Sequence, residues 1–293
     1  MKNLLPVSAY SDSSQVDMQT KKKFDVAKLI IYVFVSILAL ISIFPFFWSA
    51  LLATQDISSI MGMSLSFGDQ FFYNYESLAK EVPFNKAMFN TFVVTTLSTL
   101  NAVFVSAAAG YAFAIYDFKG KNIIFSTLLL TMMVPAVVNL VPYFLIIKQL
   151  NLINTLAAVW LPAGVNIFGV FLIRQFVAST MPKEVFDSAR VDGLNELQIF
   201  FRIGLPMMRS PLMTVAIMVV VASWNNFMLP LIALQSPDKQ IITLVLRSLN
   251  GATSTPWNLV MTGSFLAMLP LLIAFLIFSK RMMESLTEGA VKG

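Results

Sequence analysis

Apolar runs, each long enough to cross a bilayer, alternate with shorter polar stretches along this chain of 293 residues. A membrane helix needs about 20 mainly apolar residues. The runs cover residues 29–52, 87–116, 122–147, 156–177, 207–234 and 259–278. The first is too long for a signal-peptide core, and no cleavage pattern follows it; it is expected to kink or end near Pro45. Pro135 and Pro142 interrupt the third, which a membrane helix tolerates where neighbours or water re-satisfy the backbone. The pattern predicts an all-α polytopic membrane protein with six transmembrane helices. Residues 1–28 form a polar tail containing Lys21-Lys22-Lys23, residues 29–279 the membrane domain, and residues 280–293 a second polar tail. Polar loops at 53–86 and 235–256 separate the first span from the second and the fifth from the sixth.

The polar stretch between the fourth and fifth spans, 181–206, is unlike the other loops. It carries Asp187, Arg190, Asp192, Glu196 and Arg202 between flanks almost free of charge. Its spacing predicts two short helices. Pro182 suits a first helical position and Glu184 the positive end of a helix dipole. Val185, Phe186 and Ala189 share one apolar face. Gly193 stops the helix, because glycine accepts the left-handed conformation that closes many helices. Asn195 and Gln198 match a capping box and restart it, with Leu194, Leu197 and Phe201 as an apolar stripe. Pro206 then marks the start of the next apolar run.

Composition changes this picture only by exclusion. The chain is 57% hydrophobic and 12% charged, with a mean hydropathy of +0.77, whereas soluble domains average about 25% charged residues. Cysteine and histidine are absent, which excludes disulfides, thiolate metal sites and the commonest general base; no metal site is expected. No GxxxxGK[ST] phosphate loop occurs, so the chain itself cannot cradle ATP. Of its lysines and arginines, 15 fall on one side of the predicted topology and 5 on the other. The positive-inside rule makes both tails and 181–206 cytoplasmic. The net charge of +5 is therefore read as topology, not as nucleic-acid binding. The spans hold essentially no Asp or Glu in their interiors, which argues against a proton-coupled carrier, though a sodium site built from carbonyls stays open. The 17 methionines read as fillers of irregular apolar gaps.

Neutral polar and aromatic groups do occur in the spans. Such groups can hydrogen-bond sugar hydroxyls and stack on sugar C–H faces, and they can equally join helices at about 0.6 kcal/mol each. Asn101, Tyr143 and the cluster Trp224-Asn225-Asn226 are the candidates for lining a substrate path.

The stretch 181–206 resembles the loop of permease subunits of ABC importers: Glu-Ala-Ala, three residues, Gly, nine residues, Ile, one residue, Leu-Pro. Asp187, Ser188 and Ala189 stand at the opening positions, with Asp for Glu and Ser for Ala; Gly193, Ile203, Leu205 and Pro206 follow at the same intervals. Residues 106–121 (SAAAGYAFAIYDFKGK), 132–155 (MMVPAVVNLVPYFLIIKQLNLINT), 223–234 (SWNNFMLPLIAL) and the tail SLTEGAVKG resemble the carbohydrate-type, and in the tail the maltose-type, members of that family. The resemblance implies a coupling-helix hairpin between the fourth and fifth helices in the cell membrane of a prokaryote. It assigns ATPase coupling to Val185, Phe186, Asp187, Ser188, Ala189, Arg190, Asp192, Gly193, Leu205 and Pro206. The apolar face would seat in an ATPase cleft, and Asp187 would meet a basic or polar group there. Thr287, Glu288, Gly289 and Lys292 would contact the ATPases through the tail. The implied partners are a second permease subunit, forming a heterodimer, two ABC ATPase subunits that hold ATP and Mg, and an extracytoplasmic solute-binding protein delivering a carbohydrate to the loops at 53–86 and 235–257. The chain itself would bind no cofactor and be no enzyme. The alternatives are the same architecture for glycerol phosphate or an acidic oligosaccharide, or an ion-coupled secondary transporter.

Overall fold

The computed structural model describes residues 26–251 and 255–290, with side chains between residues 28 and 278. The tail up to residue 25 and Lys292 lie outside the described residues. The chain divides into two units, residues 1–47 and 48–293. The described part of the first is helical: α1 (Val26–Ala53) begins in it and runs on through Pro45 rather than ending there.

In the second unit the helices are α2 (Ile57–Met61), α3 (Phe71–Glu81), α4 (Phe84–Ile115), α5 (Lys121–Thr131), α6 (Leu140–Gln149), α7 (Leu156–Trp160), α8 (Ile167–Thr180), α9 (Lys183–Val191), α10 (Glu196–Ile199), α11 (Leu205–Met207), α12 (Arg209–Trp224), α13 (Met228–Ala233), α14 (Ile242–Ser248) and α15 (Trp257–Ala290). The described residues include no strand. Among them four helical stretches are long and apolar enough to cross a membrane: 28–53, 84–115, 156–180 and 257–278. Two further stretches qualify only as bent pairs, 121–131 with 136–149 at 101° and 196–207 with 209–224 at 76°, which raises the number to as many as six. The third run is thus more sharply broken than two prolines alone suggested. The fifth ends at Trp224 rather than continuing to residue 234, and α13 follows as a separate turn.

α4 is the central helix, packing mainly on α8 and α12. Lipid tails are as apolar as leucine, so packing in a membrane relies on close approach of small residues. Ser106, Ala107 and Gly110 supply it. A Cβ on Gly110 would lie 2.6 Å from Ile173 Cβ, and one on Gly169 would lie 2.3 Å from Ser106 Oγ. The breaks are satisfied by side chains. Pro162 cannot donate to the carbonyl of Ala158 one turn back; Tyr143 Oη donates to it instead, at 3.1 Å. Asn101 Nδ2 donates to Leu161 O at 3.0 Å in the same break. At the last turn of α1, Asn74 Nδ2 and Thr262 Oγ1 donate to Ala53 O at 3.2 and 3.1 Å, serving a carbonyl with no partner in its own helix. Asn154, in the left-handed region at φ 61°, accepts the amides of Gln235 and Ser236 at 3.1 and 2.9 Å. That bond joins the turn before α7 to the loop after α13.

Gly110→Ala is expected to overpack the α4–α8 contact and lower stability by about 1–3 kcal/mol, read as the temperature at which the purified protein loses its monodisperse peak. Gly169→Ala should do the same and be relieved by Ser106→Ala, which removes the clashing hydroxyl. A Gly110→Ala protein that melts with the parent would contradict the tight contact.

Candidate functional site

The hairpin of α9 and α10 is built by strong local signals. At its turn, Leu194 N donates to Ala189 O at 3.1 Å and Gly193 N to Arg190 O at 3.0 Å. These two bonds form the Schellman closure of a helix. Gly193 has φ +85° and no atom within 4 Å of an added Cβ; the position requires glycine for its backbone conformation, not for space. The capping box forms on both sides, with Gln198 N donating to Asn195 Oδ1 at 2.9 Å and Asn195 N to Gln198 Oε1 at 3.0 Å.

Side chains then hold the two helices to each other and to the end of α4. Arg190 grips Glu196 with two parallel bonds, Nε to Oε1 at 2.8 Å and Nη2 to Oε2 at 3.3 Å, and donates through Nη1 to Asp187 Oδ1 at 2.5 Å. Bidentate pairing of this kind fixes orientation as well as adding energy. Tyr116, just after α4, donates its hydroxyl to Glu196 Oε2 at 2.7 Å. The bonds from Arg190 and then Tyr116 hold the Glu196 carboxyl below its usual pKa. Burial, and then the bond to Glu196, push the Tyr116 phenol up. Beside them, Asp117 pairs with Lys121 at 3.0 Å and with Lys183 at 3.6 Å, the Lys121 bond first among the causes that lower its pKa.

Beneath these polar ties lies an aromatic contact. The ring of Tyr111 packs edge-on against Phe186 at 5.6 Å and Phe200 at 5.3 Å between centroids. Phe186 and Ala189 are buried there, 1% and 5% exposed. This corrects the expectation that they enter a partner's cleft: they seat in this chain's own core. Asp187 is likewise met from within, by Arg190. The outward side of the hairpin carries other residues. Val191 is 88% exposed and Leu197 71%, with Val185, Ser188 and Asp192 also exposed. Periodicity marked an apolar face but missed Val191, Tyr116 and the grip of Arg190 on Glu196. Leu205 and Pro206 lie half-buried beyond a π-helical stretch, Phe200–Gly204.

The candidate path residues are not brought to one cavity. Asn101 and Tyr143 serve carbonyls in the break at 158–161. Trp224 Nε1 donates to Ala267 O at 3.1 Å and its ring lines an apolar cavity of about 360 Å³ between α4, α12 and α15. Asn225 is exposed, its Nδ2 on Val221 O at 2.8 Å, and Asn226 is half-buried in the break before α13. Among the described residues no group of three His, Cys, Asp or Glu side chains gathers to hold a metal ion.

Residues 102–289 match the family described as "Binding-protein-dependent transport system inner membrane component". The chain belongs to this family. Over 275 residues it is 35% identical to the lactose transport system permease protein LacG of Rhizobium radiobacter, covering 94% of this chain and 100% of that one. The arabinooligosaccharides transport system permease protein AraQ of Bacillus subtilis (strain 168) is 36% identical over 276 residues, 92% and 98% of the two chains. The sn-glycerol-3-phosphate transport system permease protein UgpE of Pectobacterium atrosepticum is 28% identical over 209 residues, 71% and 74% of the chains. A chain in the crystal structure of a bacterial ABC transporter involved in the import of the acidic polysaccharide alginate shares the fold, with a TM-score of 0.76 at 19% identity over 87% of this chain and 96% of that one. The matched family segment includes the whole hairpin. It also includes the tail positions Thr287, Glu288 and Gly289, where the backbone of α15 is helical and the side chains lie outside those described.

Glu196→Gln should loosen the hairpin locally. Exposed pairs contribute about 0–1 kcal/mol, so hydrogen exchange across residues 183–199 should rise up to about five-fold, with α4 and α8 unaffected. The folded-state pKa of Glu196 is depressed, so its contribution is present above the ordinary value of 4.5 and lost as pH falls through the depressed one. Exchange corrected for intrinsic rates should accelerate on acidification in the parent and change less in Glu196→Gln. An identical pH profile in both would contradict the role of Glu196.

Proposed function

We propose that this chain is the membrane-spanning permease subunit of an ATP-driven importer for an oligosaccharide or related carbohydrate, coupled to ATPase subunits through the 181–206 hairpin. The observation that carries the coupling is a rigid pair of short helices, anchored inward by Phe186 and Ala189 and presenting Val185, Ser188, Val191 and Leu197 outward. Exposed valine and leucine on a stiff helix fit helix-in-groove recognition. The relatives that transport lactose and arabinooligosaccharides, by their names, support the carbohydrate class.

In this reading the partners are a second, different permease, two ATPases that hold ATP and Mg, and an extracytoplasmic binding protein that meets the loops around α2, α3 and α14. The chain would cross the membrane six times, each bent pair counting as one span, and the excess of lysine and arginine on one side supports cytoplasmic termini and a cytoplasmic hairpin. The membrane domain covers 29–279, with tails at 1–28 and 280–293. Thr287, Glu288, Gly289 and Lys292 would follow the state of the ATPases. A ligand shifts a conformational equilibrium only by its differential affinity for the two states. ATPases that grip the hairpin more tightly when closed would therefore bias the permease. Asn226, at the break after α12, is the preferred contact to sugar; Asn101, Tyr143, Trp224 and Asn225 each commit a donor to a main-chain carbonyl.

The glycerol-3-phosphate and alginate relatives support a second reading, the same machine for a phosphorylated or acidic substrate. ATPase stimulation of the copurified complex by neutral oligosaccharides, rather than by glycerol phosphate or uronic-acid oligomers, distinguishes the two. Import by the purified chain alone, driven by an ion gradient, would refute both.

Val191→Arg and Leu197→Arg should leave the chain inserted but reduce copurifying ATPase about ten-fold or more, as loss of an interface anchor does. Full ATPase content together with full transport would refute the docking face. Deleting residues 285–293 should reduce transport more than insertion; unchanged uptake would remove the tail from the mechanism.

A further inference from the structure

α8 holds, inside an apolar span, a cation that forms no ion pair among the described residues. Arg174 lies six residues before the end of the helix at Thr180, about 9 Å at 1.5 Å per residue. Its neighbours Leu172, Ile173, Phe176 and Val177 are apolar. No ion pair among the described residues involves it. Its guanidinium stacks over the ring of Phe125 at 4.2 Å, and Nη1 donates to Gln175 Oε1 at 3.1 Å. Its Nε is buried without a partner. A charge at this depth is costly and is retained where it meets an anion or a polar path.

We propose that Arg174 binds the phosphate of an anionic phospholipid at the hairpin-side boundary of the membrane, with Lys121 and Lys119 completing the site. The stack on Phe125 fixes the guanidinium plane and leaves its remaining N–H donors for a phosphate, the geometry Arg recognises best. Phe125 lies one turn beyond Lys121 on α5. The titratable groups of this corner are Lys119, Lys121 and Asp117 on the turn and α5, Arg174 on α8 and Lys183 on α9. Asp117 pairs with Lys121 and Lys183, so a single acid is shared by two of these four cations. The start of α5 has no side-chain cap; Lys121 N donates to Phe118 O, and the next amides, of Asn122 and Ile123, add donors. Ile123, Ile124 and Leu130 on the same helix are exposed. Such a surface accepts acyl chains and gives free phosphate nothing to favour it, which commits the site to a lipid. The inference rests on the membrane span alone and not on the substrate.

The test is native mass spectrometry of the full-length protein, with the subunits that copurify, after equilibration with equal phosphatidylglycerol and phosphatidylcholine. Arg174→Gln should lower retained phosphatidylglycerol about five-fold, the value expected for one interfacial cation, and leave phosphatidylcholine unchanged. Arg174→Lys should keep part of the preference. Removing a charge from a span does not hinder insertion, so a folding defect does not confound the result. Equal phosphatidylglycerol retention in Arg174→Gln would overturn the proposal and point to a carboxylate of another subunit. Loss of both lipids together, or displacement of phosphatidylglycerol by inorganic phosphate, would also overturn it.

Discussion

The ring of Tyr111, buried between Phe186 and Phe200, is the contact on which the hairpin depends. Tyr111 lies one turn before the end of α4, and α4 is the helix most others pack against. Two solvents act on that helix. In lipid, apolar association gains little, so Gly110 and Ser106 meet Ile173 and Gly169 by close approach and dispersion. At the hairpin, where charged side chains are exposed, burying aromatic surface adds about 25 cal/mol per Å² of apolar area taken from water. Phe186 and Phe200 come from either side of the turn at Gly193. One tyrosine therefore joins both helices to the membrane domain, and the Tyr116–Glu196–Arg190 ties then fix the angle.

That division explains what could be read in the sequence. Four stretches of spanning length, 28–53, 84–115, 156–180 and 257–278, followed from length and hydropathy, because a bilayer imposes both; the third and fifth runs are bent, which neither measure reads. The Schellman turn at Gly193 and the capping box at Asn195 were legible because each is decided within six residues. Periodicity also found the apolar face of α9. It could not say what covers that face, since a partner's cleft and the chain's own Tyr111 demand the same residues. Glu196 read as a helix-start acid; its partners Arg190 and Tyr116 come from across a turn and from the residue closing α4, 80 positions back, a distance no local pattern spans.

The polar residues of the spans show the same limit. A bilayer offers no water to an unpaired carbonyl, so each break in a helix calls for a donor. Pro162 creates one such need and Tyr143 answers it; Asn101 answers the next carbonyl along the break. Hydrogen-bonding capacity alone would fit a sugar path as well as a broken helix. What separates the two is whether the donor is already engaged. By that criterion Asn226 differs from the others: it lies half-buried at the break itself, whereas Asn225 already gives its Nδ2 to Val221 O.

The breaks also bear on how motion at the hairpin would reach the membrane. α10 continues into the π-helical turn Phe200–Gly204, then bends by 76° into α12. A π turn leaves its hydrogen bonds shifted by one residue and marks a place where a helix accommodates strain. Gly204 sits there against the Tyr111 ring, which a Cβ would approach to 2.9 Å. A push on α9 would therefore be received by a doubly tied hairpin and would reach a helix segment whose bonding is already irregular. Force applied to a uniform helix would spread along it. Here the irregular bonding lies between the hairpin and α12, whose far end carries Trp224 and the Asn225–Asn226 break.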